Sequence, residues 1–190
     1  MRPEVTVVIP NREGEKPDVT LRTLYEQTYP YFDVVVINDF EGNANRARNE
    51  GFKKVSTPYV LFSDNDIEWE REALECMVIA LRDNQGIAYS YGAYEMGGRI
   101  YCNREFSRNE LLRRNYISTM ALVRTSLHPG FDERIQRLQD WDVWLTMMRK
   151  GYYGKYCGGV LFKTGVREGI TTGSIPWADA ISAIRSKHRF

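Results

Sequence analysis

An α/β fold with a mostly parallel central sheet is predicted for this chain by three observations. Continuous β-branched runs at residues 5–9 (Val-Thr-Val-Val-Ile) and 34–37 (Val-Val-Val-Ile) have the composition of strands buried on both faces. Helical apolar spacing lies between them, in Val19, Leu21, Leu24 and Tyr25. A third apolar run, 59–62, comes after a second helical stretch over about residues 43–54. Strand and helix therefore alternate as β-α-β-α-β, an order that builds a parallel sheet covered by helices.

The remaining elements are read in chain order. Residues 70–83 read as a helix with Ala73, Leu74, Met77, Val78 and Leu81 on one face. Residues 87–94 and 99–102 flank Gly97-Gly98, which predicts a small antiparallel hairpin. A basic helix is expected over 108–114, a strand over 117–124, and a helix over 139–150 that Gly151 stops. Residues 176–190 read as a short amphipathic helix with a basic end. No repeat, low-complexity tract or linker divides the 190 residues, a length suited to one substantial core.

Composition narrows the function classes. An apolar content of 43% with 27% charged residues is ordinary for a soluble globular protein. No apolar stretch approaches the ~20 residues needed to span a bilayer. The segment from Met1 to Pro10 lacks the apolar length and cleavage site of a signal peptide, so a cytoplasmic location is expected. Cys76, Cys102 and Cys157 are odd in number and far apart, which fits reduced thiols and neither a disulfide framework nor a zinc site. With only His128 and His188 present, a His-rich metal centre or Ser-His-Asp triad is disfavoured, and any catalytic base should be a carboxylate. The formal net charge of +1 offers no global attraction for nucleic acid.

In open α/β sheets, ligands collect beyond the carboxyl ends of the strands. Those ends carry Pro10-Asn11-Arg12-Glu13, Asn38-Asp39 and Asp64-Asn65-Asp66, three polar loops converging on one rim. Asp64 and Asp66 repel each other at the end of a buried run unless a cation or hydrogen-bonded ligand compensates. Hard oxygen ligands suit Mg²⁺ or Mn²⁺, which in turn hold phosphate oxygens. Alone, an Asp-x-Asp is a weak signal that fits an ordinary turn better than a metal site.

Six segments in order resemble a family 2 glycosyltransferase. They are Val5-Thr-Val-Val-Ile-Pro10; Leu24-Tyr-Glu-Gln-Thr-Tyr-Pro30 leading into Val34-Val-Val-Ile-Asn-Asp39; Ala47-Arg-Asn-Glu-Gly51; Tyr59-Val-Leu-Phe-Ser-Asp-Asn-Asp66; Gly130-Phe-Asp-Glu133; and Gln139-Asp-Trp-Asp142. The resemblance implies a GT-A, Rossmann-like nucleotide-diphospho-sugar transferase fold over residues 1–190 as a single domain. About 1–95 would form the nucleotide-binding half and about 96–190 the acceptor and catalytic-base half. It also implies inverting transfer of a sugar from a nucleotide diphosphate sugar, UDP favoured, to an acceptor hydroxyl, assisted by Mn²⁺ or Mg²⁺. Whether that acceptor is a glycan, a lipid-linked molecule, a protein or a nucleic acid stays open.

By the same resemblance, Asp39 meets the nucleobase in a pocket walled by Pro10 and Asn11, although Asn38 stands where relatives carry an acid. Arg48 borders the nucleotide and can bind phosphate bidentately, or forms a helix-surface salt bridge. Asp66 holds the metal, and Asp64 lies near the ribose and metal shell. Asp140 is the general base, with Gln139 replacing a glutamate of relatives, a lost charge that should lower the Asp140 pKa relative to a paired acid. Asp142 supports the helix start through the macrodipole. Arg167, Asn115 and Trp141 complete the candidates for diphosphate or acceptor contact. Their bland readings are a solvated arginine, a supporting loop residue and a core tryptophan.

Two rivals remain. A nucleotidyltransferase is weakened by the lack of a Gly-rich phosphate loop with a following lysine. A catalytically weak sugar-nucleotide-binding or scaffold protein of the same fold is favoured by Gln139 and Asn38. In the last helix, Trp177, Ala180, Ile181 and Ile184 beside Arg185, Lys187 and Arg189 fit either a peripheral contact with anionic membrane or packing onto the domain. His188, near the terminus, is expected to be solvent-exposed.

Overall fold

A computed structural model describes residues 2–39, 42–165 and 175–189. Strand β1 (Val5–Arg12) pairs in parallel with β2 (Phe32–Asp39) on one side and β3 (Tyr59–Phe62) on the other. The register aligns Val5 with Phe32 and Tyr59, and Asn11 with Asn38, so all three strands end at one rim. Beyond β3 the sheet continues through β7 (Leu122–Arg124), β5 (Tyr89–Met96), β8 (Gly154–Thr164) and the edge strand β4 (Ile67–Trp69). The parallel core therefore gives way to mixed pairing, with β7 antiparallel to β3 and β5, β5 parallel to β8, and β4 antiparallel to β8. Strand β6 (Arg99–Tyr101) folds back on β5 as the expected hairpin. Gly97 and Gly98 turn it at φ of 58° and 75°, a left-handed pair that favours glycine.

Alternation along β1 separates two apolar layers. Val8 points into one with Phe62, Tyr89, Trp141, Trp144 and Leu145; Val7 and Ile9 point into the other with Leu61, Leu74, Met77 and Leu81. The first layer is closed by α5 (Gln139–Arg149) and α6 (Trp177–His188), the second by α3 (Ala73–Asp83). Helix α2 (Ala44–Phe52) lies against β1 and β2 so closely that a Cβ on Gly51 would sit 2.3 Å from the Val8 Cγ1. That approach accounts physically for the glycine closing the Ala47-Arg-Asn-Glu-Gly51 segment.

Three departures from the sequence reading have visible causes. Helix α1 (Asp18–Tyr25) buries Thr20, Thr23 and Leu24, while Val19 is 44% and Tyr25 72% exposed. Its inner face docks by hydroxyls: Thr20 Oγ1 accepts the Ile67 amide at 2.8 Å, and Thr23 Oγ1 accepts the Trp69 amide at 3.1 Å. Strand 117–124 shrinks to Leu122–Arg124, because the Ile117 carbonyl is taken by the Trp144 indole at 3.0 Å and the Met120 amide by Ser118 Oγ. The apolar face of α6 packs inward, with Ala180 and Ile184 buried and Ile181 against the same core. That corrects the interfacial-helix motive for membrane contact, since of the four residues only Trp177 stays largely exposed, beneath the Arg137 guanidinium at 4.8 Å. Among the described residues no helix is long and apolar enough to cross a membrane.

Candidate active site

The rim at the ends of β1, β2 and β3 is tied together by amides. Asn11, only 5% exposed, donates from Nδ2 to Asn38 Oδ1 at 3.1 Å and to the Glu15 carbonyl at 2.9 Å. Its Oδ1 accepts from Asn65 Nδ2 at 2.8 Å, which links the β1 loop to the Asp64-Asn65-Asp66 turn. Asn11 follows Pro10 at the end of β1, and Asn38 is the partner on β2 that positions it. The backbone of Asp39 ends β2 opposite Arg12.

Asp64 leaves β3 with its carbonyl accepting from Thr20 Oγ1 at 3.1 Å, so α1 sets the height of the turn. Its side chain accepts a 2.7 Å bond from Arg48 Nη2 and stays 42% exposed, able to offer an oxygen outward. Arg48 itself is 3% exposed, which corrects the surface-salt-bridge reading. It donates from Nη1 to Asn45 Oδ1 at 3.1 Å and lies over the Phe131 ring at 5.4 Å. The Arg48 Nε–H is buried without a hydrogen-bond partner among the described residues. Asp66 is partly buried one residue beyond Asn65. Among the described residues no group of three or more His, Cys, Asp or Glu side chains is placed to hold a metal. Two carboxylates at a strand end are a sufficient protein share where substrate phosphates supply the remaining oxygens.

Helix α2 also carries the link to the opposite wall. Asn45 Nδ2 donates to the Asp132 and Ile135 carbonyls at 3.1 and 2.7 Å, and Asn49 exchanges 2.9 Å bonds with the Phe131 amide and carbonyl. The Gly130-Phe-Asp-Glu133 loop is thereby held to α2, and α5 begins shortly after it through Leu138, whose φ of 62° is left-handed. Asp140 is in the first turn of α5, partly buried, with Oδ1 accepting the Trp141 amide at 2.9 Å. Burial raises its pKa above the ordinary carboxylate value, opposed by hydrogen bonding from Asn115, by the Trp141 amide and by the charge of Arg48. The effect of burial is opposite in sign to the lowering expected from Gln139, and makes Asp140 a stronger base.

Tyr94 and Cys102 share this neighbourhood. Burial, then the Asp140 charge, raises the Tyr94 phenol, and burial pushes the Cys102 thiol up to about 12. The Tyr94 ring is clamped between Phe162, 5.1 Å away and parallel to within 2°, and Tyr101 at 5.4 Å. Neither residue carries a sequence signal, because only folding of the hairpin brings them to α5. Asn115 Oδ1 is buried with no hydrogen-bond partner among the described residues, an acceptor that costs free energy unless a donor is supplied. Trp141 is 1% exposed and donates its indole N–H to the Leu111 carbonyl at 2.6 Å, so it belongs to the core and not to the acceptor surface. Arg167 lies outside the described residues. His188, expected in solvent, is 5% exposed and bonded to Asp142 at 2.8 Å.

Comparison with known proteins places this geometry. The model of glycosyl transferase family 2 matches residues 40–141, more than half of the chain. The chain is 28% identical over 123 residues, 60% of its length, to the UDP-Glc:alpha-D-GlcNAc-diphosphoundecaprenol beta-1,3-glucosyltransferase WfgD of Escherichia coli, and spans 48% of that protein. It is 18% identical over 188 residues to the putative teichuronic acid biosynthesis glycosyltransferase TuaG of Bacillus subtilis, covering 80% of this chain and 74% of TuaG. Among solved structures, S. aureus TarS in complex with UDP-GlcNAc superposes with a TM-score of 0.75 at 18% identity, over 98% of this chain and 66% of that one. The mannosyltransferase PcManGT from Pyrobaculum calidifontis, in complex with GDP-Man and Mn²⁺, gives 0.64 at 20% identity, over 100% of this chain and 62% of that one. The fold is accordingly the mixed α/β sheet of GT-A glycosyltransferases, and the chain belongs to glycosyl transferase family 2.

Proposed function

We propose that this glycosyltransferase moves a sugar from a UDP-sugar to an acceptor hydroxyl with inversion at the anomeric carbon, using Asp140 as general base and a divalent cation at Asp64 and Asp66. The observation carrying the reading is the bridge made by buried Arg48, which holds Asp64 at 2.7 Å while its charge acts on Asp140. One side chain thus couples the carboxylates assigned to the leaving group with the carboxylate assigned to the nucleophile.

The donor side is supported by the converging loops of β1, β2 and β3, with Asn11, Pro10 and Asp39 assigned to the nucleotide. UDP is favoured because WfgD is named for UDP-Glc and TarS is solved with UDP-GlcNAc. Mn²⁺ or Mg²⁺ would be held by Asp66 with Asp64, and its chemistry there is neutralisation of the charge that develops on the departing diphosphate.

On the other side, Asp140 accepts the proton of the attacking hydroxyl, and its raised pKa increases its affinity for that proton. Asn115 supports Asp140 in this role, its side-chain hydrogen bond favouring the ionised carboxylate. WfgD's name supports a lipid-linked saccharide as that acceptor.

The test is UDP or GDP release from UDP-glucose, UDP-GlcNAc and GDP-mannose with Mn²⁺, Mg²⁺ or chelator. The reading expects metal-dependent turnover of a UDP-sugar that Asp66→Ala abolishes. Tight nucleotide binding without turnover of any donor would establish the silent-binding alternative instead.

A further inference from the structure

Helix α6 ends in a cluster of charges that the proposed chemistry does not use. Asp142, two residues after Asp140, is buried with both carboxylate oxygens occupied: Oδ1 lies 2.8 Å from His188 Nε2 and Oδ2 2.8 Å from Lys187 Nζ. The side chains of Asp142 and His188 are each only 5% exposed. Lys187 also bonds Asp132 Oδ2 at 2.9 Å, and Arg149, at the end of α5, donates to the His188 carbonyl. The last turn of α6 is thereby fastened to both ends of α5 and to the loop before it.

Two features connect this cluster to the site. The Asp142 amide closes the first turn of α5 on the Leu138 carbonyl at 3.1 Å, so anchoring the Asp142 side chain anchors the turn that carries Asp140. Asp132, the second partner of Lys187, hands its own carbonyl to Asn45, which orients Arg48 at 3.1 Å and through it Asp64. Bonds therefore run from α6 to the turn that carries Asp140, and through Asp132, Asn45 and Arg48 to Asp64. A buried carboxylate is costly unless its partners, here the Lys187 ammonium and the His188 ring, both stay, which makes the turn dependent on α6.

We propose that Lys187 and His188 are positioning residues for transfer: by clamping Asp142, they hold the first turn of α5, and with it Asp140, in the geometry the reaction needs. The inference rests on Asp140 being the base. Displacement of a base by a fraction of an ångström lowers turnover without altering donor contacts.

The experiment compares Lys187→Met, Lys187→Arg, His188→Ala and His188→Gln in the full chain, following UDP release from UDP-glucose with Mn²⁺ and thermal unfolding, with Asp140→Asn alongside. Lys187→Met and His188→Ala are expected to lower kcat about 10-fold or more with KM for UDP-glucose within about twofold. Lys187→Arg and His188→Gln, which restore a donor near the same place, should recover most of the rate. Folded Lys187→Met and His188→Ala at parental kcat would overturn the inference. So would losses of kcat and KM together that merely track the melting temperature and are not recovered by Arg or Gln. If His188→Ala does not fold, the half-buried Lys187 pair decides. Parental turnover by Asp140→Asn overturns the reading of the base and the inference with it. An inactive Asp140→Asn beside a parental Lys187→Met overturns the inference alone.

Discussion

At the rim of β1, β2 and β3, polar side chains are positioned mainly by uncharged partners. Asn11 bonds Asn38 and Asn65, Thr20 bonds the Asp64 carbonyl and the Ile67 amide, and Trp69 donates its indole N–H to Ser63 Oγ. Around α5 the means are opposite, with Asp142 and Asp132 set by Lys187, His188 and Arg134. Amide and hydroxyl contacts hold over a wide pH range and are little affected by salt, whereas a buried carboxylate is stable only while its cations remain. The rim proposed for the donor is thus held by contacts that do not depend on charge. Asp140, the proposed base, stands on a conditional support, and buried Arg48 lies between the two regions.

The largest expected effect breaks the two sides apart. Asp140→Asn should lower transfer by about 10²–10⁴-fold while UDP affinity stays near parental, because the amide keeps the shape and loses the proton acceptor. Calorimetry with UDP and a turnover assay check the two halves of that statement. The same substitution should not reduce stability at neutral pH. A carboxyl whose folded pKa is raised binds its proton more tightly when folded, so its ionisation opposes folding as pH rises from the unfolded value through the folded one. Melting temperatures at pH 7 read this directly, and a large fall in Asp140→Asn would mean that the carboxylate supports its helix.

Next in size is an acid transition where the two sides meet. His128 is enclosed by the tilted rings of Phe52, Phe62 and Phe131, and burial lowers its pKa to about 3. The unfolded chain binds the proton more tightly, so stability present above about 6.5 is lost as pH falls toward 3, on the order of 4–5 kcal/mol when complete. Urea unfolding at pH 7 and pH 4.5 measures the slope. His128→Asn, which keeps an acceptor for the Gly130 amide, should flatten it.

A smaller effect probes the uncharged rim. Thr20→Val leaves the buried Ile67 amide unpaired and should cost about 1–3 kcal/mol, read from urea midpoints. The loss should be nearly independent of pH and salt, in contrast to that of Lys187→Met. The smallest effect is at the Arg12–Glu15 pair, 3.9 Å apart with side chains 47% and 44% exposed. Glu15→Gln should change stability by less than about 0.5 kcal/mol, since an exposed pair contributes little and the amide oxygen can still accept from Asn65.

Much of the fold was legible in the chain. The runs at β1, β2 and β3 stand out because strands buried on both faces need unbroken apolar composition, and the polar residues at their carboxyl ends mark the rim. Gly97-Gly98 and Gly151 were readable because their backbones turn left-handed. The inner face of α1 was not, since Val19 and Tyr25 keep helical spacing while facing outward and the docking groups are threonine hydroxyls. Trp141, readable either as an acceptor contact or as core, is core together with Trp144, and their indole N–H groups meet the carbonyls of Leu111 and Ile117.

The sequence by itself determined the element order, the rim and the family, because each depends on neighbours along the chain: apolar runs, turn glycines and short motifs. Only the tertiary structure decided which polar groups meet. Thr20 reaches the Asp64 carbonyl across 44 residues, Asn45 reaches the Asp132 carbonyl across 87, and His188 meets Asp142 across 46. Hydrogen bonds and ion pairs form between groups that burial forces together, and burial is a property of the packed layers rather than of any one segment.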